Sequence, residues 1–195
     1  MTASSHPILL STEGPVTTVT LNRPDKRNAL NIALLEALIA AVEAADADTS
    51  QRVLVVRGAG PVFCSGLDLT EAQDEARAHQ SANLVAHGLA RLAGSRLVSI
   101  AAVHGAAIAG GAGLMSVCDL VVATHDTKFG FPEVRRGLVA GLIMTFLRRQ
   151  LRERDVRELL ILGKTFDAAH AHKIGLINRI VDDPVAMDTE VQSII

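Results

Sequence analysis

The sequence has no tryptophan, no tyrosine and only five phenylalanines. It also lacks an excess of basic charge, since 19 Lys and Arg residues stand against 21 Asp and Glu residues, for a formal net charge of -2. Nucleic-acid-binding domains usually combine a basic surface with aromatic side chains on which bases stack. We therefore expect no nucleic-acid partner.

Long apolar runs and clustered cysteines are also missing. Hydrophobic residues make up 49% of the chain, but charged or polar residues interrupt every run before the roughly 18 to 20 apolar residues that a membrane span needs. Cys64 and Cys118 form no metal-binding spacing, so we expect reduced thiols. The first residues, MTASSHPILL, carry no positive charge before their short apolar run, and we expect no secretory signal. These features predict a cytoplasmic protein without a membrane partner.

The apolar residues that are present follow strand and helix periods in turn. Residues 8–21 predict a β-hairpin that turns at Glu13–Pro15, residues 31–45 predict a helix with Asn31 as its N-cap, and RVLVVRG predicts a buried strand. Further predicted elements are a polar helix within 71–91, strands over 98–103 and 120–124, helices after Gly141 and Arg152, and a short strand in GLINRIV. This order predicts an α/β fold with crossover connections.

The chain has no linker and no internal repeat. Its 195 residues are enough to bury the core of one domain, so we expect residues 1–195 to form a single domain. The last segment, DDPVAMDTEVQSII, begins another helix and stops inside it. We expect either a natural end there or a C-terminal helical region that is cut short.

Three loops that carry polar and small residues each follow a predicted strand. They are GAGPVFCSGLDL after Arg57, the glycine cluster of AVHGAAIAGGAGLMSVCDL over 102–120, and KFGFPEVRRG after Thr124. Open α/β sheets usually place their sites at the carboxyl ends of strands. The three loops are therefore the candidate site.

Gly110, Gly111 and Gly113 stand at the start of a predicted helical turn. The first N–H groups of a helix have no intrahelical acceptor, so this corner could hold an oxyanion or a phosphate. Close packing of the helix against a strand explains the same glycines. A dinucleotide site is a further alternative, although the acid that would bind the ribose, Glu133, lies beyond the following strand rather than at its tip.

The other two loops add a second backbone donor and a carboxylate. Ser65, Gly66 and Leu67 form a small-residue turn, and Asp68 after them is expected to cap a helix that starts near Leu69. Glu133 follows Pro132 near two phenylalanines, where an apolar setting would raise its pKa and suit it to acid/base work. Alternatively, Glu133 forms a surface ion pair with Arg135 or Arg136.

Five segments, taken together and in order, resemble the enoyl-CoA hydratase/isomerase, or crotonase, superfamily. They are NRPDKRNALN, PVFCSGLDL, VHGAAIAGGAGLMSVCDLVVAT, KFGFPEVRRGLVAG and GKTFDAAHAHKIGLINRIV, and they are spread over residues 22–181, so the resemblance extends over nearly the whole chain. The resemblance implies a ClpP/crotonase-like fold, in which ββα turns repeat as a superhelix. It also implies an acyl-CoA thioester as substrate, with coenzyme A as part of the substrate and no metal or redox cofactor, and a homo-oligomer, either a trimer or a hexamer.

The resemblance also assigns roles to individual residues. The N–H groups of Leu67 and Gly110 would form an oxyanion hole for the thioester carbonyl, and Glu133 would be the catalytic acid/base. Residues that would contact coenzyme A are Lys26, Arg27, Asn28, Ala29, Ser65, Gly66, Asp68 and Gly111. Thr70 stands where the family usually has a lysine that contacts coenzyme A, so phosphate recognition is expected to differ.

One departure from the family pattern concerns catalysis. Hydratases of the superfamily usually carry two glutamates; the second matches Glu133, and the first falls on Gly113. Some members with one glutamate are isomerases and others hydrate their substrates, so both reactions stay open. A binding or scaffold protein that has lost catalysis is the alternative from another functional class.

Two other kinds of site are weaker hypotheses. Ser65 or Cys64 could act as a nucleophile with His104, but the resemblance needs only small residues at those two positions. His170 and His172 point to different faces of a helix and have no third ligand in the sequence nearby, which argues against a metal site.

Overall fold

A computed structural model describes residues 6–195 and shows a mixed α/β architecture. Its strands are β1 Ile8–Glu13, β2 Val16–Leu21, β3 Val53–Gly58, β4 Val98–Val103, β5 Ala106–Ile108, β6 Leu120–Thr124, β7 Lys128–Gly130, β8 Thr165–Asp167 and β9 Arg179–Val181. Its α-helices are α1 Ile32–Ala47, α2 Glu75–Ala93, α3 Gly110–Ser116, α4 Gly141–Gln150, α5 Glu153–Leu162, α6 Ala168–Lys173 and α7 Pro184–Ile194. Short 3-10 helices cover Pro24–Lys26, Glu71–Gln73 and Pro132–Arg136.

The strands form two sheets. The larger has the order β1-β2-β3-β4-β6-β9, in which only β1 and β2 pair antiparallel. The smaller has the order β5-β7-β8. The units β4-β5-α3 and β6-β7-α4 each consist of a strand in the larger sheet, a strand in the smaller sheet and a helix. The unit that begins with β3 and ends with α2 is similar, because Cys64 between them forms a β-bridge with Ala107 of the smaller sheet. This repeat is the ββα superhelix that the resemblance implies.

The core lies where the helices pack on the sheets. Helix α1 buries the apolar positions that its 3.6-residue period placed on one side, among them Leu34, Leu38 and Val42. Its N-cap is as expected: the Asn31 side chain accepts a hydrogen bond from the Leu34 N–H at 3.0 Å. The opposite face of the large sheet carries a smaller apolar cluster, covered by Met187 and Val191 of α7.

The structure confirms the hairpin, the large parallel sheet and the predicted helices, and it corrects two expectations. No α-helix begins near Leu69: a 3-10 turn follows at Glu71–Gln73, and α2 begins at Glu75 with Asp74 as N-cap. The smaller sheet has no counterpart in the sequence analysis. Its strands are three residues long, which is too short to show an alternating pattern.

None of the helices within residues 6–195 is long and apolar enough to cross a membrane.

Candidate active site

A cavity of about 590 Å³ opens where the three candidate loops meet. The 3-10 helix Pro24–Lys26 and the residues after it form one side, and the segment Pro132–Ile143 forms another. Ser65, Leu67 and Asp68 come from the loop after β3, and Ile108 to Gly110 come from the start of α3. The fold thus brings the three loops that the sequence predicted together around one cavity.

The loop after β2 is held from beneath by Asn28, whose side chain is fully buried. Its amide nitrogen donates to the carbonyl oxygens of Ala59 and Val62, each at 2.8 Å, and its amide oxygen accepts from the Arg23 N–H at 2.9 Å. Arg27 and Asn28 both have positive φ, 51° and 53°. Asn28 therefore shapes the loop with its side chain and does not line the cavity.

Two residues whose backbone N–H groups have no acceptor within residues 6–195 meet where two loops join. A Cβ built on Gly110 would lie 3.8 Å from the Leu67 nitrogen, so the two residues are immediate neighbours. Among residues 6–195 the Leu67 N–H donates no hydrogen bond, and Gly110, as the first residue of α3, has no intrahelical acceptor. Both residues line the cavity. Two N–H donors thus lie close together in the wall of the cavity.

Close approach of these loops depends on Gly66. Its φ is +97°, and a Cβ there would lie 2.9 Å from the Ile108 carbonyl oxygen and 3.1 Å from the Ala109 Cβ. Any side chain would push the two loops apart. Gly66 thus sets the distance between the two N–H donors without lining the cavity itself.

Ala109 is the strained residue of the site and was not singled out by the sequence. Its φ is 50° and its ψ is −122°, a conformation that costs a residue with a Cβ roughly 1–3 kcal/mol. Its N–H donates to the Gly130 carbonyl at 2.8 Å, which ties the start of α3 to β7. This bond fixes the peptide unit before Ala109, and the φ and ψ angles of Ala109 then set the direction of the next peptide unit, which carries the Gly110 N–H.

Asp68 joins the two loops by an ion pair and does not cap a helix. Its Oδ2 accepts from Arg23 Nη2 at 2.9 Å, and its Oδ1 accepts from the Thr70 hydroxyl at 2.7 Å. Burial by itself would raise the pKa of Asp68, but the hydrogen bonds from Thr70 and Arg23 outweigh it and lower that pKa. Asp68 is therefore a charged structural group and a poor proton acceptor.

Glu133 is half-buried in the 3-10 helix Pro132–Arg136 and lines the cavity. Its Oε2 atom is buried and has no hydrogen-bond partner among residues 6–195. Burial raises its pKa. The alternative of an ion pair with Arg135 or Arg136 is wrong, because neither guanidinium lies within 4 Å of the carboxylate. The carboxylate is thus free to exchange a proton with a ligand.

Gly113 has no room for a side chain. A Cβ built there would lie 2.9 Å from Cγ1 and 3.0 Å from Cδ1 of Ile143. Ile143, at 6% exposure, lines the cavity from α4. An aliphatic side chain therefore occupies the space into which an acid at position 113 would project, a relation that no local sequence signal reveals.

The predicted site residues separate into two groups. Those that line the cavity are Lys26, Arg27, Ala29, Ser65, Leu67, Asp68, Gly110 and Glu133. Asn28, Gly66 and Gly111 support the wall instead; Gly111 is pressed against the backbone of Cys64, where a Cβ would clash. Contact of coenzyme A with any of these residues stays a prediction.

Most of the remaining cavity wall is apolar, with Asp25, Thr70 and Arg136 as its polar members, and the sequence indicated little of it. Ala82 and Val85 come from the polar helix α2. The larger contribution follows Glu133, where Leu138, Val139 and Leu142 are exposed toward the opening. Such a wall fits a hydrocarbon group next to the carboxylate and the two N–H donors.

The structure argues against a cysteine nucleophile at this site. Burial raises the pKa of the Cys64 thiol to about 12, and its Sγ donates to the Asn28 carbonyl at 3.1 Å. His104 binds the Gly60 carbonyl through Nε2 at 2.8 Å. Within residues 6–195 no group of three or more His, Cys, Asp or Glu side chains is arranged to hold a metal ion.

Comparison with known proteins gives one consistent result. The enoyl-CoA hydratase/isomerase family model matches residues 11–194. A probable enoyl-CoA hydratase of Rhizobium meliloti is 35% identical over 91% of this chain and 70% of its own length. A mevalonyl-coenzyme A hydratase of Aspergillus fumigatus is 34% identical over 98% of this chain and 74% of its own length.

Solved structures agree with the sequence relatives. The crystal structure of an enoyl-CoA hydratase from Mycobacterium smegmatis superimposes with a TM-score of 0.91 at 33% identity, covering 96% of this chain and 74% of that one. Family model, relatives and structure all cover the three loops of the cavity. The chain therefore has the crotonase fold and belongs to the enoyl-CoA hydratase/isomerase family.

Proposed function

We propose that the protein moves a proton on an acyl-CoA thioester with one carboxylate and two backbone N–H donors. The observation that carries this proposal is that the free N–H of Leu67, the N–H of Gly110 and the unpartnered Oε2 of Glu133 share one cavity. The thioester carbonyl would accept from the two N–H groups. Donors fixed in place before the reaction stabilise a developing enolate by several kcal/mol, because they need no reorganisation.

The preferred reaction is double-bond isomerisation. The Glu133 carboxylate takes a proton from the carbon next to the thioester of a 3-enoyl-CoA, and the electrons of that C–H bond move into a dienolate held at the oxygen. The acid that forms then returns the proton to the far end of the dienolate, which gives the 2-enoyl-CoA. One carboxylate suffices, and Ile143 against Gly113 supports a site without a second one.

Hydration is the second candidate, because the relatives described above are named hydratases. In that reaction Glu133 would take a proton from a water molecule whose oxygen adds to C3 of a 2-enoyl-CoA, and the acid that forms would return the proton to C2 of the resulting enolate. An acyl-CoA-binding protein without catalysis is the remaining alternative. This alternative is supported by Gly113, which stands where hydratases of the superfamily usually have the first of their two glutamates.

The deciding experiment incubates the protein with a 3-enoyl-CoA and, separately, a 2-enoyl-CoA in heavy water. We expect the 3-enoyl-CoA to become conjugated, as followed by ultraviolet absorbance, without gaining water, as measured by mass spectrometry. It gains deuterium only in the turnovers in which the acid form of Glu133 exchanges with the solvent before it returns the proton. Addition of water to the 2-enoyl-CoA would establish hydration instead. Absence of both reactions and of deuterium exchange would leave only the binding protein.

The pH dependence of turnover follows from the burial of Glu133. Its carboxylate is the active form of the base, and burial raises its pKa above the ordinary value of 4.5. As the pH falls through the raised pKa, the carboxylate is protonated and kcat/KM decreases. A pH–rate profile is therefore expected to have an acid limb centred above pH 4.5, since kcat/KM reports the essential base of the free enzyme. A limb at or below that pH would assign the base to another group.

A further inference from the structure

Arg136 places a positive charge in the same cavity as Glu133. Both residues lie on the 3-10 helix Pro132–Arg136, three positions apart, and both line the cavity. Side chains three apart on a 3-10 helix lie one above the other. The guanidinium of Arg136 and the carboxylate of Glu133 therefore extend from the same side of one turn.

The Arg136 side chain is exposed and has no protein partner. Among residues 6–195 no carboxylate lies within 4 Å of it, and it donates no hydrogen bond. In the following helical region Arg148 and Arg157 pair with Glu153, and Arg152 pairs with Asp155. Arg149 and Arg154 form no ion pair within residues 6–195, but neither of them lines the cavity. Arg136 is thus a charge that the protein itself leaves unmatched at the mouth of its cavity.

The surroundings of Arg136 separate it from the cations expected to meet coenzyme A. Lys26 and Arg27 come from the loop after β2, whereas Arg136 begins the wall that continues through Leu138, Val139 and Leu142. An acyl chain that starts at the N–H donors and passes Glu133 would run along this wall. A guanidinium presents a planar pair of donors that matches a carboxylate in two parallel hydrogen bonds.

We propose that Arg136 selects acyl-CoA thioesters whose short acyl group ends in a carboxylate. The inference rests on the proposed function, because it needs the thioester to be bound at Leu67 and Gly110. It adds the substrate class: a dicarboxylic acid joined to coenzyme A through one of its two carboxyl groups. The free carboxylate lies at Arg136, and the hydrocarbon between the two ends contacts the aliphatic wall.

Binding of saturated analogues tests this without any turnover. The dissociation constants of glutaryl-CoA and pentanoyl-CoA, which have five-carbon acyl groups ending in a carboxylate and a methyl group, are measured by calorimetry for the unaltered protein and for Arg136→Gln. We expect the unaltered protein to bind glutaryl-CoA more tightly than pentanoyl-CoA. Arg136→Gln should raise the dissociation constant of glutaryl-CoA about tenfold and change that of pentanoyl-CoA little. Arg136→Lys should recover only part of the loss, because a lysine lacks the paired donors.

Arg135→Gln is the matched control, because it removes the same charge one residue away and outside the cavity lining. It should leave both constants unchanged. If Arg136→Gln weakens both analogues and free coenzyme A equally, Arg136 binds the coenzyme, and the proposal is overturned. Equal affinities for the two analogues in the unaltered protein also overturn it but leave the proposed function standing. Failure of both analogues to bind overturns both.

Discussion

Replacing Glu133 by Gln is expected to lower the turnover of acyl-CoA by about 10²–10⁴-fold, the usual contribution of a positioned acid/base. Glutamine keeps the size and the hydrogen-bonding oxygen of the side chain but takes up no proton at the pH of the assay. The Leu67 and Gly110 N–H groups are untouched, so the affinity for a saturated acyl-CoA should change by no more than about twofold. Initial rates and calorimetry measure the two effects separately.

The stability of the same variant distinguishes catalysis from folding. Burial raises the pKa of Glu133 in the folded protein, so above that pKa the charged carboxylate disfavours the folded state relative to the unfolded chain. Glu133→Gln should therefore keep or raise the melting temperature at neutral pH. Glu36→Gln, at an exposed position of α1, controls for the loss of a negative charge. A Glu133→Gln variant that retained its rate would remove Glu133 from the mechanism.

Introducing the missing acid by Gly113→Glu is expected to destabilise the protein by at least about 3 kcal/mol, since overpacking alone typically costs 1–3 kcal/mol and a buried charge adds to it. The Cβ would already lie 2.9 Å from Ile143 Cγ1, and the carboxylate would meet an aliphatic side chain. Urea unfolding with an unchanged m-value measures the loss. Gly113→Ala, which adds only the Cβ, separates the steric part from the charge.

The double variant Gly113→Glu with Ile143→Ala tests whether these two positions compete for one space. Ile143→Ala alone should cost about 2–4 kcal/mol through the cavity that it leaves. Because the new side chain fills that cavity, the double variant should be more stable than the sum of the two single losses predicts, by about 1–3 kcal/mol. Additive losses would show that Ile143 does not block position 113.

The double variant also has a functional consequence. With a second carboxylate beside Glu133, the site would carry the two acids that hydratases of the superfamily usually have. We expect it to hydrate a 2-enoyl-CoA at least about tenfold faster than Ile143→Ala alone, because positioned acid/base groups contribute at least that much. No gain in a double variant that folds would show that the missing acid is not what limits hydration.

Much of the fold could be predicted because its signals are local. The hairpin of β1 and β2 follows from alternation and a turn, with Gly14 at φ +55°, and α1 follows from helical spacing behind the Asn31 cap. The smaller sheet could not be predicted, since three-residue strands such as Lys128–Gly130 show no period. Their pairing depends on residues far apart in the chain, such as Ala107 with Phe129.

The role of Asp68 could not be predicted from its residue type and its position in the loop. Its place before a polar helical segment favoured an N-cap, and Asp74 is the cap of α2 instead. The deciding group was Arg23, 45 residues away in the chain, which binds Asp68 at 2.9 Å. A carboxylate pairs with the strongest hydrogen-bond donor within reach, and the fold determines which donor that is.

By itself the sequence determined the order of the main strands and helices, the three loops of the site and the likeness to one enzyme family, because glycine, proline and apolar period act over a few residues. Only the tertiary structure decided that Leu67 and Gly110 are neighbours, that the Oε2 atom of Glu133 has no hydrogen-bond partner within residues 6–195, and that Ile143 fills the space at Gly113. Each of these depends on contacts between distant segments, which form only when the chain packs.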